Sequence, residues 1–250
     1  MSIDLTWSKV NGELLERLRG LVTVRELYLF GTEVDDDDLS HVGDLPNLEA
    51  IDLGGCNVTP SGVLHLRSSR QLKHLHLSDF SSPLDEATME QIATAWPHLQ
   101  SLSLDGAQIA DSAFAHVGKL RQLRYLNICR TQVTDEGLKT LGTLTRLTTL
   151  HAGNTKISDL GMDAICSLST LEKLDLNFTG ITDRGLQGID HLMKLKRIYF
   201  VGTEVTDAGL EHLKPLDSLV YIGLSDHNSL AAVEALKEAL PLYKANKGGG

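Results

Sequence analysis

The sequence has few aromatic residues, few cysteines and prolines, and no long apolar run. Of its 250 residues, 5% are aromatic, three are cysteine and six are proline. A membrane-spanning helix needs roughly 20 mostly apolar residues in succession, and no stretch approaches that length. The first residues, Met1–Trp7, have neither a basic start nor an apolar run, which argues against a secretory signal. We therefore expect no membrane partner.

Cationic residues are also in the minority. Lys and Arg together number 23 against 33 Asp and Glu, which gives a net charge of −10. General nucleic-acid binding depends on Lys and Arg neutralising phosphates, so we expect no nucleic-acid partner. The cysteines Cys56, Cys129 and Cys166 are odd in number and lack the spacing of metal ligands. This pattern favours a reduced, cytoplasmic setting, and we expect neither a metal ion nor a cofactor.

The sequence contains an internal repeat. A tripeptide in which two apolar residues flank a variable one recurs every 24 residues, with one step of 27 between Leu75 and Leu102. This alternation predicts a strand at each occurrence. The ten predicted strands are Ile3–Leu5, Leu27–Leu29, Ile51–Leu53, Leu75–Leu77, Leu102–Leu104, Leu126–Ile128, Leu150–Ala152, Leu174–Leu176, Ile198–Phe200 and Ile222–Leu224.

A second pattern lies between the strands. The octet Thr131–Leu138 recurs as Thr155–Met162, Thr179–Leu186 and Thr203–Leu210. Its fourth residue is Thr or Ser, which can cap a helix, and its fifth is an aspartate, which favours the positive helix end. These pairs are Thr134 with Asp135, Ser158 with Asp159, Thr182 with Asp183, and Thr206 with Asp207. Apolar residues then follow at a spacing of three, so each unit is predicted to be a strand, a turn and a short helical return.

These motifs resemble a known family. Leu123-Arg-Tyr-Leu-Asn-Ile-Cys-Arg-Thr131 stands where leucine-rich repeat proteins have their LxxLxLxxN/T core, and the resemblance covers residues 3 to about 226. The Thr-Asp-x-Gly-Leu return is similar to the cysteine-containing subtype of bacterial and F-box-associated repeats, although threonine usually replaces that cysteine. The resemblance implies an α/β fold, a right-handed β-α superhelix. Its parallel sheet of about ten strands would lie inside the curve and its short helices outside.

We divide the chain into a solenoid, residues 1–226, and a C-terminal capping helix with a tail, residues 227–250. The long third repeat, residues 80–97, has room for a fuller α-helix. Asn228–Leu240 has the pattern of an amphipathic helix that covers the last repeat, and Lys247–Gly250 is interpreted as a loose tail.

The first predicted strand has no separate cap before it, so the first repeat is incomplete. Terminal repeats normally need a polar outer face. Either Asp4, Ser8 and Asn11 serve as a cap, or another chain covers this edge, or the chain belongs to a longer protein. Self-association through the N-terminal edge strand is therefore one of the partner hypotheses.

Residues between the leucines project together from the concave face of the predicted sheet, because side chains alternate along a strand. These columns vary freely from repeat to repeat, as a recognition surface requires. Our candidate partner-binding residues are Tyr28, Phe30, Asp52, His74, His76, Tyr125, His151, Lys173, Asp175, Phe178, Arg197, Tyr199 and Tyr221.

Two aromatic clusters are predicted within these columns. Trp7, Tyr28 and Phe30 fall near the N-terminal end, and Tyr199 and Tyr221 near the C-terminal end beside Arg197 and Lys173. Tyrosine with arginine is enriched in binding hot spots. The alternative is that strands favour aromatic residues in any case.

Three further patterns have a chemical and a structural interpretation. Asp52, His76 and Ser103 fall on neighbouring strands in the order of a hydrolase triad, but a regular strand supplies no oxyanion hole, which favours a solvated polar row. His74 and His76, with Asp52 and Asp79, could ligate zinc, although surface histidines are common. The acidic run 35–38 aligns with a helix N-terminus and is interpreted as a cap rather than a calcium loop.

Together these observations predict a scaffold that binds a protein or peptide on its concave sheet and has no catalytic activity. A second hypothesis is the substrate-recognition component of a larger assembly, such as a ubiquitin-ligase adaptor or a bacterial effector. A third, from another class, is a hydrolase that uses Asp52, His76 and Ser103.

Overall fold

Ten short parallel strands follow one another across a single open, curved sheet, in the order of the sequence. The computed structural model describes residues 1–243, and these counts refer to that part of the chain. The strands are β1 Ser2–Asp4, β2 Glu26–Tyr28, β3 Ala50–Asp52, β4 His74–His76, β5 Ser101–Ser103, β6 Tyr125–Asn127, β7 Thr149–His151, β8 Lys173–Asp175, β9 Arg197–Tyr199 and β10 Tyr221–Gly223. The predicted solenoid is confirmed.

Each strand begins one residue before the predicted tripeptide, and the register repeats the sequence period. Leu27 is paired with Ile51, and Ile51 with Leu75. The 27-residue step is absorbed outside the sheet, since Leu75 is still paired with Leu102. Equivalent positions therefore form straight columns across all the strands.

Short helical segments return the chain on the other side of the core. The α-helices are α1 Gly12–Glu16, α2 Asp36–Ser40, α3 Pro60–Val63, α4 Glu86–Ala95, α5 Asp111–Phe114, α6 Asp135–Leu138, α7 Met162–Cys166, α8 Asp207–Leu210 and α9 Leu230–Ala239. The 3₁₀ segments are Leu64–Ser68, Ala115–Lys119, Leu141–Thr143, Asp159–Gly161, Asp183–Leu186, Ile189–His191 and Glu211–Leu213. The helix predicted in the long third repeat is α4. Among the described residues, no helix combines the length and apolarity that crossing a membrane requires.

The predicted caps are present, and the aspartates after them have a role that the sequence did not reveal. Thr134, for example, accepts a hydrogen bond from the amide of Glu136. Five aspartates at this position of the repeat, three of them in the predicted pairs, also reach into the following repeat, where the carboxylate accepts the amide and the hydroxyl of a Thr or Ser. The pairs are Asp36 with Thr59, Asp111 with Thr134, Asp135 with Ser158, Asp159 with Thr182, and Asp183 with Thr206. Asp207 accepts only the amide of Ser229. Neighbouring repeats are thus joined by a polar ladder.

The leucines of strands and returns fill one continuous core. Leu126 from β6 and Leu138, Leu141 and Leu144 from the return after it are fully buried. Trp96, at the end of α4, is buried as well, and its indole Nε1 donates to the Ser69 carbonyl at 3.1 Å. The polar partner allows the largest side chain of the core to be buried without an unpaired N–H group.

The two ends of the solenoid differ. At the C-terminal end α9 covers the last repeat, as predicted, with Leu236 and Leu240 buried. At the N-terminal end β1 forms the sheet edge, and Ile3 is only partly buried. The predicted tail, Lys247–Gly250, lies outside the described residues.

Candidate functional site: the concave face

The concave face carries the side chains on either side of each buried strand centre. The middle residue is buried in every described strand except β1, and in five strands both of its neighbours are partly exposed. The candidate partner-binding residues lie in these columns, except for Phe30 and Phe178, which lie just beyond the ends of their strands. The sheet therefore places them on one surface, where they form separate clusters.

An open hollow of about 480 Å³ lies over strands β2 to β6. Its floor includes Ala50 and Ser101, which are small and only 6% and 8% exposed, and its walls include Tyr28, His74 and Tyr125. The space arises because these two small residues alternate in their column with the larger Glu26, His74 and Tyr125. The hollow was not predicted, although the alternation of small and large residues in that column is visible in the sequence.

Beside the hollow, the predicted row of Asp52, His76 and Ser103 is in register across three strands, but the His76 ring does not contact Ser103. His76 Nδ1 lies 3.7 Å from Asp52 Oδ2, but His76 Nε2 contacts the hydroxyl of Ser101 at 3.2 Å. Ser103 instead forms a hydrogen bond with Ser78 at 2.9 Å. Side chains on a strand lean along the strand direction, so pairing in the ladder does not fix which hydroxyl the imidazole reaches.

The predicted C-terminal aromatic cluster is assembled. The rings of Tyr199 and Tyr221 lie 5.1 Å apart at 40°, and Lys173 Nζ lies 5.7 Å from the centre of the Tyr199 ring. Burial raises the pKa of the Tyr199 hydroxyl above its usual value. Arg197 is exposed next to this pair. We call Lys173, Arg197, Tyr199 and Tyr221 the aromatic platform.

The N-terminal aromatics also contact one another. Trp7 and Phe30 meet edge to face, with ring centres 5.2 Å apart. Tyr28 Oη donates to the Glu26 carboxylate at 3.3 Å. Trp7 is 74% exposed, so this cluster presents an apolar surface to solvent.

Trp7 and Phe178 occupy the same left-handed position of their repeats. Their φ angles are 57° and 54°, values that bulky residues adopt at a cost in backbone energy. Each ring covers a glycine of the following repeat: a Cβ atom on Gly31 would lie 2.4 Å from Trp7, and one on Gly202 would lie 2.3 Å from Phe178. Phe178 is nevertheless 62% exposed, beside the aromatic platform.

A third cluster joins strands β6 to β8. One ligand atom each of Cys129, His151 and Asp175 lies within 4.8 Å of the other two. Burial acts to raise the pKa of Asp175, but hydrogen bonds from His151 and from the Asn177 amide outweigh it, so this pKa lies below its usual value. Burial raises the pKa of the Cys129 thiol to about 12. His151 and Asp175 are predicted site residues, and Cys129 is not. Cys129 lies in an adjacent column, so its contact with the other two does not follow from the order of residues within one column.

Of the four zinc ligands that the sequence suggested, Asp52 and His76 lie 3.7 Å apart, but no three of the set form one group of ligand atoms among the described residues. Asp79 instead pairs with Arg130 at 2.9 Å, and Arg130 also donates to Asp105. Among residues 1–243, the one group of three potential ligands is Cys129, His151 and Asp175. Burial is the main cause that lowers the pKa of His74, with the neighbouring charges of His76 and Lys73 acting in the same direction.

The comparisons with known proteins agree with this architecture. A sequence profile described as a leucine-rich repeat region matches residues 80–242, and a second, described as a leucine-rich repeat, matches residues 44–66. The comparison with curated protein sequences gives no match.

Three of the solved structures that share this fold come from two bacteria. An internalin (inlF) of Listeria monocytogenes is 22% identical with a TM-score of 0.67, over 94% of this chain and 70% of that one. Internalin C2 of the same organism is 23% identical with a TM-score of 0.60, over 89% and 80%. A leucine-rich repeat protein of Leptospira interrogans is 21% identical with a TM-score of 0.68, over 98% and 59%. At these identities the likeness establishes the fold alone.

Proposed function

The chain belongs to the leucine-rich repeat family, and from this we propose that it is an interaction scaffold that holds a partner protein against its concave sheet. The observation that carries the proposal is the composition of that face. It has a hollow toward one end and the aromatic platform toward the other, on one continuous sheet.

The backbone of the sheet contributes little to recognition directly. Amides within and just beyond the strands donate to neighbouring strands, as Leu77 does to Ser103 and Leu104 to Asn127. Recognition on this face therefore depends on side chains. A scaffold of this kind binds with little rearrangement, because its strands are held on both sides.

The hollow and the platform suit different parts of a partner. The hollow has an apolar floor at Ala50 and Ile51 and accommodates an inserted apolar or aromatic side chain. On the platform, Tyr199 and Tyr221 provide flat apolar area, and Lys173 and Arg197 provide positive charge beside it. We propose a partner segment that combines an apolar anchor with an acidic stretch.

The test begins with affinity capture on the immobilised full-length chain, followed by identification of the captured protein. Its dissociation constant is then measured by calorimetry for the wild type and for Tyr199→Ala with Tyr221→Ala. Loss of two hot-spot side chains is expected to weaken binding by about 30-fold or more. Circular dichroism checks that the double variant remains folded.

The matched control replaces two exposed apolar side chains away from the sheet. Leu160 is 75% exposed and Met193 is 54% exposed, and both lie on the return segments. Leu160→Ala with Met193→Ala is expected to bind like the wild type. If this control variant no longer binds the partner while the double tyrosine variant still does, binding occurs on the other side of the solenoid.

The repeat subtype, the role within a larger assembly and the cellular setting are also proposals. The Thr-Asp-x-Gly-Leu returns support relation to the F-box-associated subtype, and with it a role as the substrate-recognition part of a larger assembly. Three unpaired thiols, Cys56, Cys129 and Cys166, support a reducing, cytoplasmic setting. Co-purification with a ligase subunit would support the assembly role, and capture of the partner alone would count against it.

Self-association through the N-terminal edge is a separate proposal. Within the described residues, β1 pairs with β2 alone, and Met1, Trp7 and Val22 are exposed near it. Light scattering at several concentrations decides the question. A mass that rises with concentration supports pairing of two copies at this edge, and a constant monomer mass rules it out.

A further inference from the structure

We propose that Cys129, His151 and Asp175 form a binding site for zinc, or a divalent ion of similar softness, on the concave face. The three side chains come from successive strands or strand ends, at β6, β7 and β8. The site lies between the hollow, whose wall includes Tyr125, and the aromatic platform, where Tyr199 is paired with Asp175 in the sheet. Its test requires no partner, so its failure and that of the proposed function are distinguishable.

The geometry allows one ion to reach all three residues. Their ligand atoms lie within 4.8 Å of one another, so some point lies no more than about 2.8 Å from every one of them. Zinc bonds to sulfur, nitrogen and oxygen are about 2.0–2.3 Å long. Side-chain movements of well under 1 Å, on the order of 0.5–0.8 Å each, bring the atoms to bonding distance.

The ligand types select the class of metal. Magnesium and calcium prefer oxygen ligands, and this cluster offers only one side chain of that kind. Sulfur with imidazole nitrogen suits zinc and related borderline ions. On binding, the thiol releases its proton to solvent and the thiolate becomes a ligand. The thiolate and the Asp175 carboxylate then balance the two positive charges of the ion, and His151 binds as the neutral ring.

Neighbouring groups orient two of the ligands. The Asn177 amide donates to Asp175 Oδ1 at 3.0 Å, which leaves Oδ2 directed to His151 Nδ1 at 3.4 Å. The ring of Tyr125 packs against the His151 imidazole, with centres 5.6 Å apart. Contacts of this kind hold ligands in orientation at metal sites.

The position of the site leaves part of the coordination sphere accessible. The side chains of His151 and Asp175 are 17% and 19% exposed. Three protein ligands with an accessible fourth position resemble the arrangement in which zinc also takes water or a group from a second molecule. Here that position opens toward the surface where we place the partner.

The experiment uses the full-length reduced chain, freed of metal with a chelator. Zinc binding is measured by calorimetry, and cobalt replaces zinc for absorption spectroscopy because a cobalt–thiolate bond gives a charge-transfer band. We expect one equivalent of zinc per chain and a charge-transfer band in the cobalt form. Cys129→Ser should abolish the band and weaken zinc binding by at least about 10-fold.

Asp175→Asn is the second variant, and it keeps the size of the side chain. It should also weaken zinc binding, and zinc should raise the melting temperature of the wild type more than that of this variant. Thermal unfolding of both variants without metal confirms that each is folded.

Two controls separate this site from others. Cys166→Ser removes a thiol on α7. The double variant His74→Ala with His76→Ala removes the two histidines of strand β4. Both are expected to retain the band and the affinity. The proposal is overturned if the wild type binds no stoichiometric zinc, if Cys129→Ser leaves binding unchanged, or if a control variant is the one that loses it.

Discussion

The carboxylate of Asp135 accepts two hydrogen bonds from Ser158 in the next repeat, from the amide at 2.8 Å and from the hydroxyl at 2.6 Å. The Ser158 hydroxyl in turn accepts from the Leu160 amide at 3.4 Å. One aspartate thus fixes the residue that caps the following helical segment. Because the same relationship recurs along the chain, it couples each repeat to its neighbour.

Asp135→Ala should lower the free energy of unfolding by about 1–3 kcal/mol, because the amide and hydroxyl of Ser158 lose a charged partner in a partly buried place. Chemical denaturation measures the change. Asp163→Ala, which removes an exposed carboxylate of the following repeat, should cost less than about 0.5 kcal/mol. Equal losses in the two variants would show that the ladder contributes nothing specific.

Gly161→Ala should also destabilise the fold, by about 1–3 kcal/mol, although its φ of −76° suits alanine. The new Cβ would lie 2.6 Å from Asp135 Oδ1. The glycine of the Thr-Asp-x-Gly motif is therefore needed because the aspartate of the preceding repeat passes over it. The cost of Gly161→Ala should shrink by about 1 kcal/mol or more when Asp135 is already alanine.

Gly142→Ala is the matched control, since its Cβ would meet only the Ser167 hydroxyl, at 3.3 Å. It should cost less than about 1 kcal/mol, because a hydroxyl can rotate away. Strict additivity of Asp135→Ala and Gly161→Ala in the double variant would contradict the proposed contact.

Ala50→Leu should lower the affinity for the partner identified by capture by about 10-fold or more, because the added side chain occupies the hollow. The fold should remain intact. Calorimetry and thermal unfolding measure the two effects. Ala208→Leu, at an exposed position of α8, adds the same side chain and should change neither. Wild-type affinity in Ala50→Leu would show that the partner does not enter the hollow.

Ser101→Ala should leave the hydrolysis of an activated ester such as p-nitrophenyl acetate unchanged. Ser101 contacts His76, but its amide donates to the Lys73 carbonyl at 3.0 Å and is not available to an oxyanion. The assay compares the wild type, Ser101→Ala and Ser103→Ala. A wild-type rate that falls about 100-fold in Ser101→Ala alone would establish the triad.

The half-buried position of His74 should make stability depend on pH. Its pKa is lower in the fold than the 6.5 of a free histidine, so below pH 6.5 the unfolded chain takes up a proton that the folded chain does not. The free energy of unfolding should fall as the pH drops from 6.5 to the lower folded-state pKa, and His74→Gln should reduce that fall.

Urea titrations between pH 7.5 and 5 measure this slope, with His191→Gln as the control because the side chain of His191 is 74% exposed. The control should keep the wild-type slope. If His74→Gln also keeps it, protonation of His74 does not limit the stability in that range.

The repeat period predicted the order of the strands, their register and the core, because every unit must bury the same leucines against its neighbours. It also predicted the caps at Thr134 and Ser158 and the aromatic platform at Tyr199 and Tyr221, since these follow from position within one repeat. The one-residue shift of each strand is a small departure that leaves the columns unchanged.

Only the tertiary structure decided which side chains meet between repeats. His76 reaches Ser101 rather than Ser103, and Cys129 joins His151 and Asp175 although it belongs to another column. The link from Asp135 to Ser158 and the hollow over Ala50 have the same origin. A period fixes where each backbone position lies, but the direction of a side chain depends on its rotamer and on the space its neighbours leave, which one repeat alone does not contain.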